Sequence, residues 1–423
     1  MANTIVTLSS GDVVRKALSI LHNELVFTKT INRQYDDRFA RSGAKNGGTL
    51  LIREPNEFSI RTGQVMDTQD VTEITQTLTL ATQLGVDINF SSVELTLSLD
   101  DFADRILQPA MARLATEVDQ TILTACYPYV YNTFSCTSTA HPGLVEIRGA
   151  RARLNQGLAP MGNRNLLADS LFANSIMSVG AAYVNPAPAI SRQYERGLVG
   201  DLYGMRFWES ETVPRHTNGL RTDATPTVNI QAATTSIENG VATVVMTTGT
   251  AASNVKAGDT FHVVGLYAIN QETKARYSHL QQFSITAAVT LSTAAKDLSV
   301  SPIPYLSGVR QNMEVVTSSA TAAVIMATGS AGSLVHGLCP GAPSLVGPEN
   351  LCYHRDAFTA VFADLEMPKG VDFAAREVFD GISLRIVRQY DVVNDKFPCR
   401  IDVLFGQKCL RPAWACRIAG QRA

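Results

Sequence analysis

The sequence predicts an α+β chain of several structural units, and three observations carry that prediction. Apolar residues recur at helical spacing near the N-terminus and again after residue 100. Between and after those stretches they alternate with period two, as half-buried strands do. Residues 222–346 stand apart in composition. A length of 423 residues exceeds what one core holds, so at least two packed units are expected.

Residues 9–31 read as an amphipathic helix. Ser9 or Ser10 offers a hydroxyl to the free N–H groups of its first turn. Val14, Leu18, Leu21 and Leu25 follow 4-3-4 spacing on one face. That stripe must be buried, against its own domain or on a neighbouring subunit. Residues 33–63 turn polar, and Gly43, Gly47 and Gly48 mark a flexible loop opening into a strand at Thr49–Arg53. The stretch Thr72–Leu97 is strand-like, with alternation at Thr77–Leu80 and Val86–Phe90. The two arms predict a long two-stranded ribbon, a form marginal in water unless it lies on something.

From Asp100 the period becomes helical. Phe102, Ile106, Met111, Leu114, Val118 and Ile122 mark a long helix capped by Asp100 or Asp101. Pro109 either kinks it or begins a second helix. Residues 146–220 alternate short helices and strands, with strands expected at Asn165–Asp169 and Met205–Ser210 and turns at Gly197, Gly200 and Gly204.

Residues 222–346 hold 11 charged residues in 125, against 63 in the other 298, which sets them apart as an insertion. Short alternating runs at Val241–Met246, Thr260–Val264, Gln282–Thr286 and Met313–Val316 predict a small β-barrel or sandwich. Beyond it, strands are expected at Ile382–Tyr390, Cys399–Phe405 and Trp414–Ile418, the first two pairing around Asn394–Asp395.

Charge and motifs exclude more than they assign. The formal net charge of −2 disfavours sequence-specific nucleic-acid binding. Of 36 basic residues 27 are Arg, which suits planar contacts between subunits, although a GC-rich genome produces the same bias. No window of about 18 apolar residues predicts a membrane span. The N-terminus lacks the pattern of a secretory signal, so synthesis in the cytosol is expected. Seven cysteines without CxxC spacing read as reduced, small apolar residues.

Gly43 and Gly48 have the outer spacing of a phosphate loop, but Thr49 and Leu50 stand where Lys and Ser or Thr belong. His354-Arg355-Asp356 imitates a kinase catalytic loop, but Val361 stands where Asn is due. No histidine pair has metal-ligand spacing, so no catalytic set, cofactor or metal site is predicted. Arg148, Arg151, Arg153 and Arg164 form a local basic cluster, read as a solvated face, an interface, or an inner surface meeting phosphates.

Several stretches resemble the major capsid (coat) proteins of tailed bacteriophages, in the podophage branch that carries an inserted β-barrel on the Hong Kong 97-type fold. They are Gly200-Asp-Leu-Tyr-Gly-Met-Arg-Phe-Trp-Glu-Ser, Ala257-Gly-Asp-Thr-Phe, Gly265-Leu-Tyr-Ala-Ile-Asn-Gln-Glu-Thr-Lys, Gly381-Ile-Ser-Leu-Arg-Ile-Val-Arg-Gln-Tyr-Asp and Arg400-Ile-Asp-Val-Leu-Phe-Gly. Their order carries the likeness along nearly the whole chain.

The resemblance implies an N-terminal arm (1–32), an extended loop (33–98), a spine helix and P-domain (99–145), a first part of the A-domain (146–221), an inserted β-barrel (222–346) and returning strands (347–423). It implies no enzyme and no cofactor, but a shell subunit that forms pentamers and hexamers of an icosahedral head. Its partners would be its own copies, a separate scaffolding protein, a portal protein, double-stranded DNA held non-specifically and a possible decoration protein, with no membrane. Assembly would take place in the host cytoplasm and end in the virion. The contacts implied are the arm face (Val14, Leu18, Leu21, Leu25) and the extended loop (Arg41, Lys45, Arg53). Arg148, Arg151 and Arg153 would be inner-surface or interface positions. A shell of a cellular nanocompartment with the same fold is the alternative.

Overall fold

The computed structural model describes residues 15, 17–21, 25–35, 49–58, 60–66, 68, 73–91, 108–135, 142–180, 201–219, 227–232, 242–247, 254–291, 296–315, 323–324, 346–379 and 381–420. It is an α+β chain that divides into two units, residues 1–53, 75–125 and 358–408 in one, and 54–74, 126–357 and 409–423 in the other.

In the first unit, the helix Gln108–Cys126 buries Met111, Leu114, Val118 and Ile122, the four described positions of the predicted stripe. Phe102, Ile106 and the cap candidates Asp100 and Asp101 lie outside the described residues. Pro109 lies within Gln108–Cys126, next to residues outside the described ones.

The predicted arm helix is not continuous. Residues 15 and 17–21 are helical, Leu25 and Val26 are not, and a new turn forms at Phe27–Thr30 before the strand Asn32–Tyr35. The interruption has a tertiary cause. The Asp119 carboxylate accepts from the backbone N–H groups of Val26 (2.8 Å), Phe27 (3.0 Å) and Thr28 (2.9 Å), capping the new turn from another element. Ser9, Ser10 and Val14 lie outside the described residues.

The strand order in this unit's main sheet is Asn32–Tyr35, Phe358–Ala363, Lys396–Cys409, Ile382–Arg388, Phe373–Phe379. The predicted hairpin around Asn394–Asp395 is present, pairing Arg385 to Arg388 with Asp402 to Cys399. The predicted ribbon is shorter than expected. Thr49–Arg53 pairs antiparallel with Thr75–Thr79, but Thr82–Ser91 leaves the ribbon and lies along Lys396–Phe405 instead. A strand that finds a long partner in the body gains ladder hydrogen bonds that an isolated ribbon lacks.

The second unit holds a seven-stranded mixed sheet. Thr133–Ser135, Ala415–Ala419, Val346–His354, Arg164–Ala168, Met205–Glu209 and Asp201–Leu202 follow in order, and Arg215–Thr217 also pairs with Val346–His354. The helix Leu144–Gln156 packs Ile147, Ala150 and Leu154, and the helix Ser170–Gly180 packs Phe172 and Ile176, into one core with Leu166, Met205, Cys352 and Ile418.

Between residues 227 and 324 the described strands of the second unit form antiparallel sheets. Thr227–Ala232, Ala242–Thr247, Lys296–Leu298 and Ala323–Val324 form one four-stranded sheet. Thr260–Ile269, Arg276–Ile285, Val300–Ser301 and Met313–Val315 form another, and Asn254–Val255 pairs with Val289–Thr290. Val255, Phe261, Val263, Leu266, Phe283 and Ile285 share one core there.

Candidate interaction surfaces

The ribbon is held at its base by two close approaches. In the register of Thr82–Ser91 with Lys396–Phe405, Gly85 lies opposite Asp402, and a Cβ at Gly85 would meet Asp402 Oδ1 at 2.5 Å and Ile401 O at 2.6 Å. A Cβ at Gly406 would meet Thr79 O at 2.3 Å. Asp402 is buried and receives Arg385 Nη2 at 2.6 Å and Arg400 Nε at 2.8 Å. Burial pushes its carboxyl up, but hydrogen bonds from Arg385, Arg400 and Gln83 outweigh that and hold it below its usual range.

Beyond the strand, the segment 54–66 exposes large apolar side chains. Ile60 is 95% exposed, Val65 85%, Met66 76% and Phe58 62%. Arg61 Nη1 donates to Val65 O (3.1 Å) and to Gly63 O, and Gly63 takes a φ of 107° that closes this turn. Isolated exposed apolar residues are ordinary; four within nine residues mark a surface that gains by being covered. The sequence reading singled out the charged positions of this loop and passed over these. The signal was there, as four large apolar residues without strand or helix period. Arg53 is exposed at the end of its strand, and Arg41 and Lys45 lie outside the described residues.

In the arm, Leu18, Leu21 and Leu25 are covered by the chain itself, each 2% exposed or less. The polar side stays outward, with Arg15 reaching Glu377 at 3.5 Å.

The basic cluster divides by burial. Arg148 is exposed, while Arg151 and Arg153 are half-buried. Arg164 is buried, donating to Pro160 O (2.7 Å), Asn155 Oδ1 (2.7 Å) and Ala159 O (2.6 Å).

The β module is fastened to the segment 127–133 by side-chain bonds. Ser284 Oγ donates to Pro128 O (2.6 Å), Ser301 Oγ to Tyr129 O (2.7 Å) and Gln282 Nε2 to Thr133 O (3.0 Å), while Thr133 N donates back to Gln282 Oε1 (2.9 Å). Beside them lies a buried polar chain. His216 Nε2 is 2.8 Å from Asp259 Oδ1, and His216 Nδ1 is 3.2 Å from the Tyr127 hydroxyl. The buried Arg417 donates from Nη1 to Gly258 O (2.8 Å) and from Nη2 to Ser284 Oγ (3.2 Å). Sequence patterns could not find this set, because its members lie in five separate stretches of chain.

Among the described residues, no group of three or more His, Cys, Asp or Glu side chains is placed to hold a metal ion. Nor is any described helix long and apolar enough to cross a membrane. Cys126, Cys352, Cys399, Cys409 and Cys416 are buried thiols. Burial pushes the Cys126 and Cys416 thiols up to about 12, so they are unreactive. Cys136 and Cys339 lie outside the described residues.

Residues 204–420, just over half of the chain, match the family described as "P22 coat protein - gene protein 5". No curated protein matches the chain. Among solved structures, the chain is similar to the capsid of the cyanophage P-SCSP1u (9% identity, 93% of this chain and 88% of that one, TM-score 0.46). It is also similar to the mature capsid of bacteriophage PhiM1 (11% identity, 93% and 86%, TM-score 0.45). A third similar structure is the SrpI encapsulin complex of Synechococcus elongatus (9% identity, 99% and 92%, TM-score 0.39).

Proposed function

The chain belongs to the P22 coat protein family, and from that premise we propose how its parts divide the work of a shell. It is a major capsid protein that forms the head of a tailed phage, and its place is the virion capsid. The family is one of structural coat proteins. Its order of elements, an arm, a ribbon, a long helix and two mixed sheets, agrees with the Hong Kong 97-type fold.

The finer reading is ours. Copies assemble in the host cytoplasm as pentamers and hexamers of an icosahedral head, on a separate scaffolding protein and around a portal. Residues 1–32 tie neighbouring subunits, with the leucine stripe seating the arm on its own chain first. The loop 33–98 reaches a neighbouring copy, and the exposed Phe58, Ile60, Val65 and Met66 are the observation that carries this reading. Residues 222–346 form the inserted domain, which steadies the chain through its bonds to 127–133. The exposed Arg148 and the half-buried Arg151 meet packaged double-stranded DNA non-specifically or pair with a neighbour. A decoration protein is a further partner. Each contact in such a shell is weak and closure is collective.

Negative-stain electron microscopy of the expressed chain, with and without its scaffolding protein, tests the assembly. Closed shells or curved sheets are expected. Monodisperse monomers under both conditions would overturn the reading.

A further inference from the structure

The second unit holds a cleft whose described lining residues include no Asp or Glu. Its lining includes Tyr131, Asn132, Arg153 and Gln156 from the last turn of Leu144–Gln156, and Tyr277 with His279. The Tyr277 and His279 rings stack, with centroids 5.4 Å apart and planes 16° apart.

Arg153 is half-buried here, and the described residues meet its charge only weakly. Its Nη1 reaches Gln156 Oε1 only at 3.5 Å, and its guanidinium carbon lies 5.7 Å from the centre of the Phe134 ring. Among the described residues it makes no ion pair, whereas Arg376, Arg385 and Arg388 each face a carboxylate. Arg164, just beyond the same helix, is answered by three oxygens within 2.7 Å. Burial drags the Arg153 guanidinium below its ordinary range. The Tyr131 hydroxyl in the same lining makes no hydrogen bond to a described residue. Burial pushes its phenol up, so it remains an O–H donor at any ordinary pH.

A guanidinium has a planar fork of donors, and a neutral phenol adds one more. Water can accept from these groups but cannot balance the charge, and a partly desolvated cation gains most from an anion. We propose that this cleft binds an oxyanion, gripped by the Arg153 fork and capped by the Tyr131 hydroxyl. The anion comes either from solution, as inorganic phosphate, or from a carboxylate side chain that a neighbouring copy inserts. Only the second source rests on the coat-protein reading.

The test uses the full chain as dispersed subunits, comparing inorganic phosphate with chloride at matched ionic strength. Phosphate is expected to raise the thermal midpoint by about 3 °C or more once it exceeds its Kd well. The rise should vanish in Arg153→Gln and shrink in Tyr131→Phe, which carries the test if the first variant does not fold. If phosphate leaves the wild type unmoved, the same variants go into shell assembly. Failure to close shells, at an unchanged midpoint of the subunit, assigns the anion to a neighbour's carboxylate. An equal phosphate shift in all three chains overturns the site. So does the absence of any phosphate shift together with normal shells from both variants. Failure of wild-type shells as well would count against the assembly reading, and the absent phosphate shift would then overturn the site by itself.

Discussion

Asp119 Oδ1 accepts two hydrogen bonds from Thr28, one from its backbone N–H at 2.9 Å and one from its hydroxyl at 2.5 Å. With Val26 and Phe27 on the other oxygen, one buried side chain of the long helix serves four donors of the arm. Burial raises the Asp119 carboxyl above its usual range, and those four bonds pull against that rise. The arm is therefore seated by a polar clamp as well as by its leucines.

Asp119→Ala strands those donors in a dry site. A loss of about 3 kcal/mol is expected, whereas Thr28→Val removes one bond and costs about 1 kcal/mol. Urea unfolding measures both. Limited proteolysis of the alanine variant should cut between residues 15 and 35 before the rest of the chain opens, and equal protection of wild type and variant would contradict the clamp.

Asp402 predicts a pH dependence. Its folded pKa lies below the unfolded value, so its stabilisation is present above about pH 4 and is lost as the pH falls through the depressed value. Asp402→Asn should cost about 3 kcal/mol at neutral pH, because it removes the negative charge and sets an amide NH2 in place of one of the two oxygens that face Arg385 and Arg400. Thermal midpoints between pH 2 and pH 7 should converge for the two chains at the acid end. Parallel curves would mean that the group does not titrate as described.

Gly258 has a φ of 98°, and a Cβ there would lie 2.7 Å from Tyr127 Cε2 and 3.0 Å from His216 Nδ1. Gly258→Ala therefore both strains the backbone and pushes on the buried His216–Asp259 pair, for an expected loss of about 2–4 kcal/mol. Gly308→Ala is the control, since its φ of 84° carries the backbone cost with open space around the new Cβ. Calorimetry should place Gly258→Ala well below the control; coincident midpoints would remove the packing argument.

Ile60→Asp with Val65→Asp changes exposed positions only, so subunit stability should shift by less than about 0.5 kcal/mol. Shell formation should nevertheless fall by at least about tenfold, because a charge at each copy's covered contact is repeated around the assembly. Electron microscopy and sedimentation check this. Normal shells from the double variant would remove the loop tip from the interface.

The elements that a reader of the sequence can place are those whose burial follows one period. Met111, Leu114, Val118 and Ile122 announce their helix because each turns the same face to the core. The hairpin around Asn394–Asp395 is legible for the same reason, with a turn signal between two alternating runs. The family likeness rests on local strings such as Gly200–Ser210, which survive without any knowledge of contacts. The break at Leu25–Val26 is different. Nothing in residues 20–30 forbids a helix there; the cause is a carboxylate 91 positions away.

The same division runs through the surfaces. Composition marked off residues 222–346 and the order of motifs pointed to a coat protein. Only tertiary structure decided that Thr82–Ser91 joins the body rather than the ribbon, because a strand's choice of partner depends on which free edge lies within reach. Only tertiary structure set Arg153 in a cleft with no acid among its described lining residues while giving Arg164 three acceptors. Two arginines eleven positions apart are alike in sequence, and solvation, which follows from all the chain that folds around them, makes them different.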